Sequence, residues 1–145
     1  MDLRITRAEV SAEPIDAEQL LAQVERPDAG AAVVFVGRVR NHDPQATGAV
    51  VSLTYTSHPS APEKIVEIVT AALEAADPER DARVAVVHRI GELAVGEVAF
   101  CVAVSTGHRR LAFEVSEHIV ERVKAELPIW KQQFVEDGSY GWSGL

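Results

Sequence analysis

The sequence of 145 residues carries one cysteine, Cys101, which excludes an intrachain disulfide and any cysteine-built metal cage. Cys101 lies within the apolar run "EVAFCVAVST" and reads as a small buried hydrophobe, because a catalytic thiol needs an electropositive, partly exposed setting. The five histidines, His42, His58, His88, His108 and His118, are scattered and form no HExxH or closely spaced ligand pair, so no metal and no cofactor are expected. Basic residues are scarce: 14 Lys and Arg against 22 Asp and Glu give a formal net charge of −8. Proteins that bind phosphodiester backbones usually present a basic domain or face, so a nucleic-acid partner is not expected. No apolar run approaches the length of a membrane span, and "MDLRITRAEVSAEPID" lacks the apolar core and cleavage site of a signal peptide. The expectation is a cytoplasmic protein with no membrane partner. Internal repeats, low-complexity segments and linkers are also lacking, and the length suits one domain over residues 1–145.

What the sequence does contain is an alternation of strand and helix patterns. "LRITRAEV" reads as a first strand, and "DAEQLLAQVE" as a short helix with Asp16 as N-cap. "AAVVFVGRVR" and "AVVSLTYTS" are rich in β-branched residues and flank the polar "NHDPQATG", which predicts a hairpin with a long loop. From Pro62, the positions Ile65, Ile68, Val69, Ala72, Leu73 and Ala76 repeat with helical spacing as far as "DPERD". "ARVAVVHRIGEL" and "EVAFCVAVST" follow as two strands around a turn near Gly96. A second long helix has the stripe Ala112, Phe113, Ser116, Ile119, Val120, Val123 and Leu127, and Pro128 ends it. The rest, "IWKQQFVEDGSYGWSGL", predicts a short strand, a turn at Asp137 and Gly138, and an aromatic tail. Two long helices with about six strands, several joined by local turns, predict an α+β fold: one mixed domain with the helices packed on mostly antiparallel strands.

Against the acidic total, the basic residues gather in islands: Arg38, Arg40 and His42 in "GRVRNH"; His88 and Arg89 in "VVHRIGEL"; His108, Arg109 and Arg110 in "TGHRRLAF"; and Lys124 with Lys131 in "KAELPIWK". Such islands suit a small anion. In "STGHRRLAFE" a strand passes into the long helix. Ser105 or Thr106 can cap backbone N–H groups there, Gly107 lets the backbone approach a ligand, and His108 and Arg109 add directed donors. Solvation alone is an equally ordinary role for His108 and Arg109. The lysines have a bland reading too, since Lys favours helices and complements a helix C-terminus. The sharper one is that Pro128 and Trp130 stiffen a turn that holds two amines over a ligand. His88 and Arg89 could line that pocket or serve a structural hydrogen bond. His118, beside Ile119, reads as a surface or hydrogen-bonded residue, and Phe35 and Val36 as core.

Taken together, "GAAVVFVGRVRNH", "VAVVHRIGELAVGE", "STGHRRLAFE" and "KAELPIWK" resemble the large, catalytic subunit family of molybdopterin synthases, in the same order and approximate spacing from about residue 29 to residue 131. The resemblance implies a sulfur transferase of molybdenum cofactor biosynthesis that places two sulfur atoms on cyclic pyranopterin monophosphate to form the dithiolene of molybdopterin. It implies a sulfur donor as well, the C-terminal thiocarboxylate of a small ubiquitin-like subunit whose Gly-Gly tail enters the large subunit. It further implies a homodimer of large subunits at the centre of a heterotetramer. Carried over by position, it makes Lys124 and Lys131 the catalytic pair and Arg40, His108 and Arg109 the substrate-binding groups. A chain with one buried thiol and no metal cluster does not readily supply sulfur, so a donor arriving on a partner agrees with the residues present. Two other readings stay open: a module that docks a ubiquitin-like protein through an anion pocket without chemistry, and an enzyme acting on another phosphorylated heterocycle.

Overall fold

The computed structural model describes residues 1–42, 48–136 and 138–145. In chain order the elements are β1 (Ile5–Ser11), α1 (Ala17–Gln23), β2 (Ala31–Arg38), β3 (Val50–Ser57), α2 (Ala61–Ala76), β4 (Arg83–Arg89), β5 (Gly91–Ala94), β6 (Val98–Thr106), α3 (Arg109–Glu126), β7 (Ile129–Val135) and β8 (Tyr140–Gly144). They form the expected α+β arrangement as two four-stranded sheets, ordered β1-β4-β6-β2 and β5-β3-β7-β8. Every pairing is antiparallel except β1 with β4.

The first sheet is covered on both faces, which explains why β4 and β6 read as unbroken apolar runs instead of alternating ones. On one face, Val84, Val86, Phe100, Val102 and Val104 pack against Ile65, Val69 and Leu73 of α2 and Val115, Ile119 and Val123 of α3. On the other, Ala85, Val87, Cys101 and Ala103 meet Leu20 and Val24 from α1 and its C-cap. Cys101 is fully buried, and burial pushes its thiol up to about 11, so it remains protonated at neutral pH. A third cluster, Val39, Leu53, Leu93 and Ala99, joins the second sheet to the end of the first.

The helix boundaries follow local chemistry. Asp16 caps α1 by accepting the N–H groups of Glu18 and Gln19. Pro62 lies in the first turn of α2, where its missing donor costs nothing. Pro128 forces Leu127 into extended backbone, and α3 stops at Glu126.

Several sequence expectations are corrected. β2 and β3 do not form a hairpin: β2 pairs with β6, and β3 with β5 and β7. Composition marks both segments as strands, but partner choice is settled by which face each can bury. Residues 43–47 of the predicted loop, and Asp137 of the predicted turn, lie outside the described residues. "ARVAVVHRIGEL" is two strands, because Gly91 at φ +92° lets the chain leave one sheet and enter the other. There are thus eight strands among the described residues where about six were expected. In α3 the inward stripe contains Val115, and Phe113 is 60% exposed. Phe113 sits at the stripe's margin in the first helical turns and faces outward.

Beyond the apolar layers, a buried ionic knot ties β1 to the end of α2. Asp77, the C-cap of α2, has no exposed surface; its carboxylate accepts the backbone N–H groups of Asp81 and Ala82, each at 2.9 Å, and Nη1 of Arg4 at 3.2 Å. Arg4 is 6% exposed and also donates to the Asp77 carbonyl and to Asp2. Truncating one partner of a buried pair strands the other's charge, which costs about 3–5 kcal/mol. Asp77→Ala is therefore expected to lose about that much stability in urea denaturation, while a surface change such as Glu74→Ala stays within about 0.5 kcal/mol. The side-chain hydrogen bond from Arg4 is the largest influence on Asp2, and the net effect lowers its carboxyl to about 2. Because the folded value is depressed, this contribution is present above the ordinary carboxylate range and is lost as pH falls through about 2. Asp2→Asn should flatten that acid-side loss in denaturation curves recorded from pH 5 downward.

Candidate active site

The last turn of α3 and the start of β7 bring Lys124 and Lys131 into one electrostatic environment. Lys131 is half-buried and lies directly opposite Tyr55 in the β3–β7 ladder, so both side chains leave the same face of the second sheet. The Tyr55 ring meets the imidazole of His88 edge-on at 5.0 Å, and His88 also contacts the Phe100 ring at 5.3 Å. His88 is 1% exposed, and its Nδ1 lies 2.7 Å from the carbonyl oxygen of Arg89. A carbonyl only accepts, so Nδ1 carries the proton and Nε2 keeps its lone pair. Burial is the main reason the imidazole is pushed down to about 4; the hydrogen bond to Arg89 opposes this and the charge of Lys124 adds to it. His88 is thus neutral at physiological pH. Burial likewise pushes the Tyr55 hydroxyl up to about 12 and keeps it protonated.

Lys124 is exposed as a residue, yet the protein around its amine lowers its pKa. Desolvation is the largest cause, the like charge of Lys131 adds to it, and Glu121 acts in the opposite direction. Surface area reports the whole side chain and desolvation reports the surroundings of the nitrogen, so the two findings are compatible. A lowered lysine pKa leaves more neutral amine at physiological pH, the form that accepts a proton or attacks a carbonyl carbon.

His108 and Arg109 lie at the far end of the same helix. His108 is the N-cap of α3, in extended backbone and without a side-chain cap bond; with Arg109, Arg110, Phe113 and Glu114 it lines an open pocket of about 530 Å³. The expected capping by Ser105 or Thr106 is not what forms. The Ser105 hydroxyl donates to the Val24 carbonyl, the Thr106 hydroxyl donates to the His108 carbonyl, and the Gly107 N–H is taken by Asp81. Helical rise puts Lys124 roughly 22–24 Å from His108 and Arg109 along the axis. Arg40, exposed beyond the end of β2, shares no hydrogen bond or ion pair with either group among the described residues. The structure therefore brings the lysines together and holds His108 and Arg109 apart from them within one chain. Sequence reasoning missed Tyr55, whose meeting with Lys131 depends on register between distant strands, and Asp81, which nothing in "DPERD" marks as a contact for Gly107. No group of three or more His, Cys, Asp or Glu suited to a metal occurs among the described residues, and no described helix is long and apolar enough to cross a membrane.

Three helices packed on the first of two sheets, with cationic groups concentrated at the two ends of one of them, define a small α+β protein whose charge arrangement suits anionic ligands. Comparison with known proteins makes this particular. The family profile described as MoaE protein matches residues 10–126. The molybdopterin synthase catalytic subunit of Halalkalibacterium halodurans is 38% identical over 95% of this chain and 85% of its own length. The crystal structure of molybdopterin synthase from Staphylococcus aureus superposes with a TM-score of 0.84 at 33% identity, covering 95% of this chain and 97% of that one. A more distant likeness, in fold alone, is to the complex of subunits 1 and 2 of molybdopterin-converting factor from Helicobacter pylori, with a TM-score of 0.67 at 20% identity over 97% of this chain and 90% of that one. The chain belongs to the MoaE protein family, and it is an enzyme of that family of catalytic subunits.

The shared field of the amines gives opposite expectations for two substitutions. Lys131→Met removes a like charge and should raise the pKa of Lys124, whereas Glu121→Gln removes a favourable one and should lower it further. Competitive acylation of Lys124 across pH, read by mass spectrometry, measures both; movement in the same direction would contradict the arrangement.

Proposed function

We propose that this chain is the sulfur-transferring subunit of a molybdopterin synthase, acting in the cytoplasm on cyclic pyranopterin monophosphate with sulfur from the C-terminal thiocarboxylate of a small ubiquitin-like subunit. The observation that carries the reading is the Lys124–Lys131 pair, two amines in one field on a chain of net charge −8, with the Lys124 pKa lowered. Both proposed reactants are anionic, which accounts for local positive charge on an acidic protein. Lys124, with its larger share of neutral amine, serves in proton transfer or in activating the acyl carbon of the incoming tail. Lys131 stabilises developing negative charge or the pterin. Arg40 holds an anionic group of the substrate, and His108 with Arg109 holds its phosphate.

A pterin monophosphate is too short to bridge the two ends of α3. The site is therefore composite: lysines from one protomer face His108 and Arg109 of a second across a two-fold interface, the commonest closed symmetry. The homodimer so formed is the centre of a heterotetramer, with one small subunit per large subunit.

With the thiocarboxylated partner and pterin precursor supplied, Lys124→Ala should lower dithiolene formation by about 10²-fold or more while leaving the melting temperature near that of the parent. Unchanged turnover in both Lys124→Ala and Lys131→Ala would remove the catalytic reading. Mixing Lys124→Ala with Arg109→Ala under subunit exchange, at a pterin concentration too low for Arg109→Ala alone to turn over, should restore one intact pocket per mixed dimer. No recovery despite verified exchange would place the site within one chain.

A further inference from the structure

The turn that presents His108 and Arg109 is fastened from behind by residues that touch no proposed reactant. The Gly107 N–H donates to Oδ2 of Asp81 at 2.6 Å, a charge-assisted bond. Oδ1 of Asp81 faces Nη2 of Arg26 at 3.4 Å, and that guanidinium, with 13% of its side chain exposed, also lies 3.7 Å from Asp28. The backbone of Asp81 is itself held, its N–H donating to the fully buried Asp77. From another side, Gly30 approaches so closely that a Cβ there would sit 2.9 Å from the Gly107 carbonyl oxygen, a backbone atom that cannot simply rotate away. Ser105 completes the fastening through its bond to the end of α1.

This arrangement poses an electrostatic question. Asp81 puts a carboxylate behind a turn whose exposed face offers His108 and Arg109 to an anion, and an unbalanced carboxylate there would oppose binding. Arg26 supplies the balance, leaving Asp81 as an oriented acceptor for Gly107.

We propose that Asp81 is a positioning residue for the anion-binding turn: its carboxylate fixes Gly107 and so sets where His108 and Arg109 project, Arg26 offsets its charge, and Gly30 provides the clearance the turn requires. The inference rests on the reading of His108 and Arg109 as the groups that hold the substrate's phosphate. Those groups hold the phosphate and neither deliver sulfur nor move a proton at the reacting carbons, so displacing them is expected to weaken ground state and transition state alike and to raise KM more than it lowers kcat.

The test is steady-state kinetics of the assembled enzyme with the phosphate-bearing pterin as varied substrate, alongside hydrogen exchange at the Gly107 amide. Asp81→Ala should raise KM roughly tenfold with kcat within about twofold, and should speed exchange at Gly107. Asp81→Asn, which keeps an oxygen acceptor, should recover most of both. Arg26→Gln alone should raise KM, and should have little further effect on Asp81→Asn, where no carboxylate is left to balance. Gly30→Ala reaches the same turn from the other side and should also raise KM selectively, which keeps the test decisive if Asp81→Ala folds poorly. If Arg109→Ala raises KM while Asp81→Ala or Gly30→Ala leaves it unchanged, the positioning role is overturned and the substrate reading stands. If Arg109→Ala leaves KM unchanged, the substrate reading fails and this inference falls with it.

Discussion

Burial of one face of α3 against the first sheet is the constraint on which the rest of the molecule depends. Val115, Ile119 and Val123 have no exposed surface and pack with Phe100, Val102 and Val104 of the neighbouring sheet face. Each such side chain contributes about 2 kcal/mol through area removed from water, so the helix is held along its length as one rigid rod of 18 residues. Rigidity fixes what its ends can do. One end delivers Lys124 to the start of β7 and to Lys131; the other delivers His108 and Arg109 to the turn behind which Asp81 sits. A helix that frayed or bent could let one chain gather all of these groups. This one keeps them apart, and that separation is the ground for the composite site proposed above.

The two ends are prepared by different physics. At the lysine end, low local polarity does the work: neutral His88 and protonated Tyr55 add no charge, and desolvation, with the like charge of Lys131 second, makes Lys124 harder to ionise. At the other end the means are directional bonds, running from buried Asp77 through the backbone of Asp81 to Gly107. The ionic knot of Arg4, Asp2 and Asp77 thus stabilises β1 against α2 and also fixes the origin of the chain of contacts that reaches His108.

Helix positions and strand identities were largely legible from residue order, because they follow from local rules: Asp16 as a cap, the spacing of Ile65, Val69 and Leu73, and the stop at Pro128. Strand partnership was not legible. Nothing in "AAVVFVGRVR" says that Phe35 will face Val102 of a strand some sixty residues later, and the local hairpin expectation failed for that reason. The same limit governed the site. Lys124 and Lys131 stand close in sequence around a rigid turn, so their nearness could be read, whereas Tyr55 joins them through register alone and Asp81 reaches Gly107 across 26 positions. Phe113 shows the converse: helical spacing admitted it to the core stripe, and only its place on the stripe's margin near the helix start turned it outward.

The central claim, that lysines and phosphate-type donors meet between two protomers, is open to a direct structural measurement. The one native cysteine is fully buried, so new thiols at His108→Cys on one chain and Lys124→Cys on another can be addressed selectively. A bifunctional thiol reagent of about 10 Å cannot span one chain's helix, whose ends lie roughly 22–24 Å apart. The account requires that mixing the two single variants gives a covalent dimer of about twice 15.7 kDa, with the bridge between position 108 of one protomer and position 124 of its partner. Efficient dimerisation of the mixture, absent when either variant is treated alone, is the expected result; no cross-link in a mixture shown to contain mixed dimers would contradict it.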